Sequence, residues 1–135
     1  MLLYLDASAL VKLVRVEPET PALSTYTTDA DLATCELALT EVPRAARRMA
    51  AGAPEFGLGD LLGRADKLFA ALALVPLERS LLLAAGALTE PALRALDAIH
   101  VAAAISIAPL DAFVSYDERQ AAAARLAGLR TVAPA

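Results

Sequence analysis

Four acidic residues occupy positions where carboxylates could gather around a cation. Asp6 and Asp117 each directly follow a short, mostly apolar run that is typical of a buried strand. Asp97 lies among small and apolar residues of a helical stretch, and Glu41 lies near the start of another. Carboxylate oxygens are ligands that Mg²⁺ and Mn²⁺ prefer, so these side chains are candidates for a divalent metal site.

The chemistry of such a site follows from the charge of the carboxylates. Packing several of them together without a cation raises their pKa values, so convergence of the four would imply a bound cation. A divalent ion held there could activate a water molecule and polarise a phosphoryl group, which is the chemistry of phosphodiester hydrolysis. On this hypothesis we expect the four carboxyl groups to lie within a few ångströms of one shared ion position.

Three of the acids also have a purely structural explanation. Asp6 and Asp117 could each be the N-cap of the following helix, although Ser8 could cap the first helix equally well. Glu41 would be favoured by the positive end of its helix dipole and could pair with Arg44 on the surface. Taken one at a time, these residues therefore do not establish a metal site.

Asp97 is the acid that is hardest to explain structurally. Its segment predicts a helix from Pro91 to Ile107, which places Asp97 in the helix interior. Asp is disfavoured there, and a charge on an apolar face needs a partner. Arg94 and His100 each stand three residues away and could supply an ion pair. The segment alone leaves the ion pair and the metal ligand open.

His100 and Cys35 are the only histidine and the only cysteine, and each limits the possible chemistry. A single histidine excludes acid–base catalysis by a histidine pair, and we interpret His100 as a packed or hydrogen-bonded residue of an apolar helix face. A single cysteine allows no intrachain disulfide. With no signal-peptide pattern, and with apolar runs too short for a membrane span, we expect a soluble protein in a reducing cytoplasm.

The net charge of −4 argues against binding of nucleic acid by bulk electrostatics. A divalent ion held by the acids would reverse the sign of the field locally, where a reaction would take place. Arg44, Arg47 and Arg48 share one side of a predicted helix. They form either a solvated face or a phosphate-contacting patch beside the metal site.

The 135 residues fit one domain, 1–135, in which short apolar strands alternate with amphipathic helices. The predicted strands are Leu2–Leu5, Leu32–Cys35, Ala73–Leu77, Ala112–Ser115 and Arg130–Val132. The predicted helices are Ser8–Val16, Pro21–Thr28, Thr40–Ala51, Asp60–Leu72, Glu78–Leu88, Pro91–Ile107 and Glu118–Ala127. This alternation predicts a parallel sheet covered by helices on both faces, with ligands bound beyond the carboxyl ends of the strands. Pro43 follows Glu41 by two residues, so that helix either begins near Thr40 or bends.

Four segments, in this order and spacing, resemble the PIN-domain ribonucleases, especially the VapC-type toxins of bacterial and archaeal toxin–antitoxin pairs. The segments are Tyr4–Lys12, Thr40–Arg44, Leu93–Ala104 and Val114–Arg119, and the resemblance extends over nearly the whole chain. It implies an α/β fold, namely a three-layer α/β/α domain with a five-stranded parallel sheet. It also implies endonucleolytic hydrolysis of RNA with Mg²⁺ or Mn²⁺ as the cofactor.

The resemblance further assigns residues and partners. It implies that the catalytic and metal-binding residues are Asp6, Glu41, Asp97 and Asp117, with Ser8 and Ser115 as hydrogen-bonding support. It also implies a homodimer and a small VapB-type antitoxin that covers the site.

Three other functions remain open from the sequence. A PIN scaffold could bind RNA or a protein partner without cutting it, and a nuclease of this kind could act on DNA, because metal-assisted hydrolysis does not need the 2′-hydroxyl. A receiver-like signalling domain shares the α/β architecture. It needs a Lys after its last strand, however, where this chain has Ala133-Pro134-Ala135.

Overall fold

The alternation of short apolar runs with longer helical stretches produces five strands and seven helices. A computed structural model describes all residues, 1–135. The strands are β1 (Leu2–Leu5), β2 (Asp31–Cys35), β3 (Ala73–Val75), β4 (Ala112–Val114) and β5 (Thr131–Val132). The helices are α1 (Ala7–Val14), α2 (Thr20–Thr27), α3 (Ala38–Gly52), α4 (Leu58–Ala70), α5 (Arg79–Gly86), α6 (Ala95–Ser106) and α7 (Glu118–Leu126).

All neighbouring strands pair in parallel, in the order β3-β2-β1-β4-β5. The chain therefore starts at the central strand, winds outward to one edge, and returns to build the other half of the sheet. Strand order reverses between β1 and β4, where Leu5 pairs with Val114. In parallel α/β sheets this point opens a crevice at the carboxyl ends of the strands. The predicted three-layer fold with a five-stranded parallel sheet is confirmed.

The central strand β1 is buried on both faces, and each face builds its own core. Leu3 and Leu5 belong to a cluster of buried residues shared with α1 to α4. Tyr4 points to the other face and joins a cluster with Phe113 and residues of α5, α6 and α7. Successive residues of a strand point to opposite faces, so this alternation directly produces the two helical layers.

The helix α6 begins four residues later than predicted. The turn at Glu90 is the physical reason, because its carboxylate and its carbonyl oxygen accept hydrogen bonds from the backbone amides two and three residues later. These bonds hold Pro91 in a turn, and Arg94 then adopts an extended backbone as the N-cap. The prediction that Asp97 lies in a helix interior is therefore wrong, since Asp97 is in the first turn of α6.

The helix α3 begins at Ala38 and continues through Pro43 to Gly52. Pro43 lacks only one backbone amide, which would otherwise donate to the carbonyl of Leu39. The start expected near Thr40 is thus two residues too late, and Glu41 lies in the first turn of α3. The other element ends differ from the predicted ones by a few residues at most, which is the usual uncertainty of helix and strand ends. None of the helices combines the length and the hydropathy of a membrane span.

The buried face of α1 provides a test of the packing. Leu10 is 0% exposed within the core shared by α1 to α4, whereas Leu126, at the end of α7, is 75% exposed. We expect Leu10→Ala to lower the free energy of unfolding by about 2–5 kcal/mol, because it leaves a cavity. The matched control Leu126→Ala should change it by less than about 0.5 kcal/mol. Urea unfolding followed by circular dichroism measures both, and equal effects would contradict this core assignment.

Candidate active site

Asp6 lies at the carboxyl end of β1, where it also caps α1. Its amide continues the pairing of β1 with β4 by donating to the carbonyl of Val114 (3.2 Å). Its side chain is buried, and both carboxylate oxygens accept hydrogen bonds. Oδ1 accepts from the amide of Ala9 (3.0 Å) and from the hydroxyl of Ser8 (2.6 Å), and Oδ2 accepts from the hydroxyl of Ser115 (2.5 Å). Asp6, and not Ser8, is therefore the N-cap.

The pKa of Asp6 is raised above its ordinary value, although opposing effects act on it. Burial raises it, because a carboxylate loses hydration in the interior, while the hydrogen bonds from Ser115, Ser8 and Ala9 lower it. The two serines also connect Asp6 to the end of β4, since the Ser8 hydroxyl accepts from the amide of Tyr116 (2.9 Å). Ser8 and Ser115 thus provide the hydrogen-bonding support that the sequence predicts.

Asp117 follows β4 and caps α7. Its Oδ1 accepts hydrogen bonds from the amides of Arg119 (3.0 Å) and Gln120 (3.3 Å). Its amide donates to the hydroxyl of Ser115 (3.1 Å), the same hydroxyl that donates to Asp6. The side chain is half-buried, and Oδ2 makes no hydrogen bond within the protein. One oxygen of Asp117 thus remains available beside the capping role.

Asp97 is half-buried, and its carboxylate makes no hydrogen bond and no ion pair. The ion pairs that the sequence allows with Arg94 and His100 are not formed. A hydrogen bond from the Gln120 amide group to the Asp97 carbonyl (3.3 Å) holds the start of α6 beside the start of α7. Burial raises the pKa of Asp97, and the negative charges of Asp117 and Glu41 raise it further. His100 and Arg94 act in the opposite direction.

Glu41 is held by a buried histidine. Its Oε1 lies 2.6 Å from Nε2 of His100, and Nδ1 of His100 lies 2.7 Å from the hydroxyl of Tyr4. The His100 side chain is 1% exposed, and that of Glu41 is 20% exposed. The interpretation of His100 as a hydrogen-bonded residue is confirmed, and the surface pair of Glu41 with Arg44 is not formed.

The structure brings Asp97 within electrostatic reach of both Asp117 and Glu41, because the charges of these two acids raise the pKa of Asp97. Asp6 is joined to Asp117 through the hydroxyl of Ser115. The stricter expectation of one shared ion position is not met, since no group of three or more His, Cys, Asp or Glu side chains is arranged to hold a metal ion. Two hydroxyl groups and one amide donate hydrogen bonds to the Asp6 carboxylate, and His100 is hydrogen-bonded to one oxygen of Glu41.

The donor set nevertheless fits Mg²⁺ or Mn²⁺. Mg²⁺ keeps several of its waters and is commonly bound by one or two carboxylates together with substrate phosphates. Asp97 and Asp117 offer two neighbouring carboxylates with oxygens that no protein group occupies. Their mutual repulsion is the electrostatic condition that a divalent cation relieves.

A groove of about 720 Å³ opens beside Glu41, and basic side chains line it. Arg44 and Arg48 are exposed there and form no ion pair, whereas Arg47 lies outside the groove. Lys12 also lines it, although it pairs with Glu19 at 3.1 Å. The arginine patch of the sequence therefore divides into two residues at the groove and one solvated residue.

Sequence reasoning missed two residues of this region. Lys12 stands one helical turn after Ser8, and this spacing places both side chains on one face of α1. Tyr4 alternates with leucines in a buried strand, and a buried tyrosine hydroxyl needs a hydrogen-bond partner. Each signal indicates that the residue has a neighbour, but neither identifies Glu19 as the partner of Lys12 or His100 as the partner of Tyr4.

The sequence of this chain matches a known protein family over most of its length. The family model described as the PIN domain matches residues 3–126. Ribonuclease VapC35 of Mycobacterium tuberculosis is 40% identical over 139 aligned positions, covering 98% of this chain and 97% of the relative. Ribonuclease VapC47 and Ribonuclease VapC46 of the same species are 37% and 36% identical, with the same coverage.

A solved structure has the same fold at low sequence identity. The crystal structure of VapBC2 from Rickettsia felis, bound to a DNA fragment from its promoter, superimposes with a TM-score of 0.72. The match covers 100% of both chains at 12% identity. This similarity concerns the fold alone.

The raised pKa of Asp97 predicts that this residue destabilises the fold. A carboxyl group whose pKa is higher in the folded chain than in the unfolded chain costs stability wherever it is ionised, and the cost disappears below its ordinary pKa of 3.8. We therefore expect Asp97→Asn, measured with chelator, to raise Tm at pH 7 and to leave it unchanged near pH 3. Asp66→Asn on the exposed face of α4 is the control and should have no effect. A lower Tm for Asp97→Asn at pH 7 would show that the carboxylate makes a favourable contact.

Proposed function

This chain belongs to the PIN-domain family and is related to the VapC ribonucleases over nearly its whole length, and we propose that it is an endoribonuclease that hydrolyses RNA phosphodiester bonds with Mg²⁺ or Mn²⁺. The observation that carries the metal dependence is the unpartnered, half-buried carboxylate of Asp97 beside Asp117 and Glu41. Like charges in this arrangement cost stability, and a bound cation would offset the cost.

The four acids have different parts in the proposed site. Asp97 and Asp117 would hold the ion directly, because each has a carboxylate oxygen free of protein hydrogen bonds. Glu41 would contribute the oxygen that His100 does not occupy. Asp6 belongs to the same constellation, but three hydrogen bonds already engage its carboxylate and leave it less capacity for an ion than Asp97 or Asp117.

The remaining contributions come from groups beside the acids. A bound divalent ion supplies positive charge that polarises the phosphoryl group and favours attack by water. Arg44 and Arg48, along the groove, would bind phosphates that flank the scissile bond and so set the register of the strand. The carboxylates would also orient water, since ionised carboxylates only accept hydrogen bonds. The relationship to ribonucleases supports RNA over DNA as the substrate.

The same relationship supports a cellular role. We propose that this chain is the toxin of a toxin–antitoxin pair, acts in the cytoplasm as a homodimer, and is inhibited by a small VapB-type antitoxin that covers the groove. A cationic side chain of such a partner would fit the acids electrostatically, because it would offset the same uncompensated negative charge that a metal ion offsets.

Cleavage of RNA by matched variants tests the proposal. Wild type should cut a mixed RNA pool with Mg²⁺ or Mn²⁺, and chelator should stop the reaction. Asp97→Asn should lower the rate by more than about 100-fold, because even the hydrogen-bond partners of metal ligands are worth 10- to 100-fold. Asp66→Asn controls for the loss of one negative charge and should cut normally. Cleavage that survives both chelator and Asp97→Asn would contradict the proposal, and binding of RNA without cleavage would indicate an inactive scaffold.

The arginines at the groove provide a separate test on substrate binding. We expect Arg44→Gln with Arg48→Gln to weaken RNA binding and to reduce the slope of log K against log salt by about 0.7 per lost phosphate contact. Arg47→Gln lies on the same helix outside the groove and should leave affinity and slope nearly unchanged. Fluorescence anisotropy at several salt concentrations, with chelator to prevent cleavage, measures both. An effect of Arg47→Gln equal to half that of the double variant would indicate only a general charge effect.

A further inference from the structure

We propose that Tyr4 and His100 are positioning residues that hold Glu41 with one carboxylate oxygen fixed and the other presented to Asp97 and Asp117, which are called the acidic site below. The inference rests on the proposed ribonuclease function, and it assigns a part in that function to two residues outside the four acids. Its basis is a continuous line of hydrogen bonds that runs from the central strand to the groove.

The line begins at a rigid point of the fold. Tyr4 is in the middle of β1, 0% exposed, and its ring stacks on Phe113 with centroids 5.4 Å apart and planes 6° apart. The His100 ring meets the Tyr4 ring edge-on, with centroids 5.8 Å apart and planes at 73°. Packing therefore fixes both rings before any contact with Glu41 is considered, and side chains locked in this way can hold a third group precisely.

The directions of the two hydrogen bonds follow from the groups that make them. A phenolic hydroxyl is protonated at neutral pH, so the buried hydroxyl of Tyr4 can donate to Nδ1 of His100. A neutral imidazole that accepts at Nδ1 carries its proton on Nε2, which faces Oε1 of Glu41. An imidazolium would also donate from Nε2. In either state, Glu41 accepts one hydrogen bond from a fixed direction.

Arg44, on the same helix as Glu41, could compete with His100 for the Glu41 carboxylate. Arg44 follows Glu41 by three residues in α3, a spacing at which opposite charges pair, and both side chains line the same groove. The structure shows the contact with His100 and no ion pair with Arg44. His100 thus keeps two groups apart that would otherwise neutralise each other. Loss of His100 would remove a carboxylate from the acidic site and a cation from the groove together.

A purely structural role for this line is the alternative, because it also connects α6 with β1 and α3. Either role predicts some loss of stability on substitution, so stability does not discriminate between them. Chemistry at the acidic site does discriminate, because only a positioning role makes the rate depend on a donor at the Nε2 position of His100.

Substitutions that preserve the packing test the proposal. Tyr4→Phe removes only the hydroxyl, and we expect kcat for RNA cleavage to fall about 10- to 100-fold, with KM within about twofold of wild type. Tyr26→Phe is the matched control, because the Tyr26 hydroxyl has no hydrogen-bond partner. His100→Gln retains a donor near the Nε2 position and should keep most of the activity that His100→Leu loses. Wild-type kcat for folded Tyr4→Phe and His100→Leu would overturn the proposal.

Nuclear magnetic resonance gives a readout that does not need activity. His100 is the only histidine, so its ring nitrogens can be assigned without ambiguity. We expect a protonated Nε2 whose resonance shifts in Glu41→Gln, and broadening of the ring signals by Mn²⁺ that Glu41→Gln weakens. An Nε2 signal insensitive to Glu41→Gln would overturn the inference even in an active enzyme. A wild type that shows these signals but cuts no RNA would instead contradict the proposed function while preserving the positioning of Glu41.

Discussion

The parallel pairing of β1 with β4 places Asp6 and Asp117 at the same edge of the sheet, next to the helices that carry the other candidate groups. This pairing is the point at which strand order reverses, and it continues past Leu5 through the hydrogen bond from the Asp6 amide to Val114. The segments that follow β1 and β4 leave the sheet side by side, one into α1 and the other towards α7. Ser115 then contacts both Asp6 and Asp117, so a single hydroxyl joins the ends of the two strands. A shift in this pairing would separate Asp6 from Asp117, because each directly follows the strand that places it.

The four acids differ in how many hydrogen bonds their carboxylates accept from the protein. Both oxygens of Asp6 accept hydrogen bonds from hydroxyl and amide donors, Asp117 gives one oxygen to the cap of α7, and Glu41 gives one to His100. Asp97 has no donor at all, although it is half-buried and lies near two other negative charges. Its raised pKa means that the ionised form costs stability in the folded chain, because burial and the two like charges disfavour it. Proteins keep such features at functional sites and offset their cost elsewhere.

Periodicity made most of the fold predictable from the sequence. The five strands and seven helices follow from apolar runs and helical spacing, and the order of elements determines a parallel sheet. The start of α6 was not predictable, because it depends on side-chain and carbonyl hydrogen bonds at Glu90 that override a helical pattern. The predicted position of Asp97 in the middle of a helix is therefore wrong, since Asp97 lies in the first turn of α6. The residue remains the leading candidate because of its missing partners and its neighbours. The contacts of His100 with Glu41 and Tyr4 span 59 and 96 residues of sequence, and no local pattern encodes them.

We propose that Asp97 and Asp117, the two acids with free carboxylate oxygens, together hold a divalent ion. The most direct test is the anomalous difference density of Mn²⁺ in crystals of the wild-type protein, with Asp97→Asn crystals as the comparison. We predict one Mn²⁺ peak about 2 Å from a carboxylate oxygen of both Asp97 and Asp117, absent in the variant. A peak bound elsewhere, or an identical peak in Asp97→Asn, would contradict the claim.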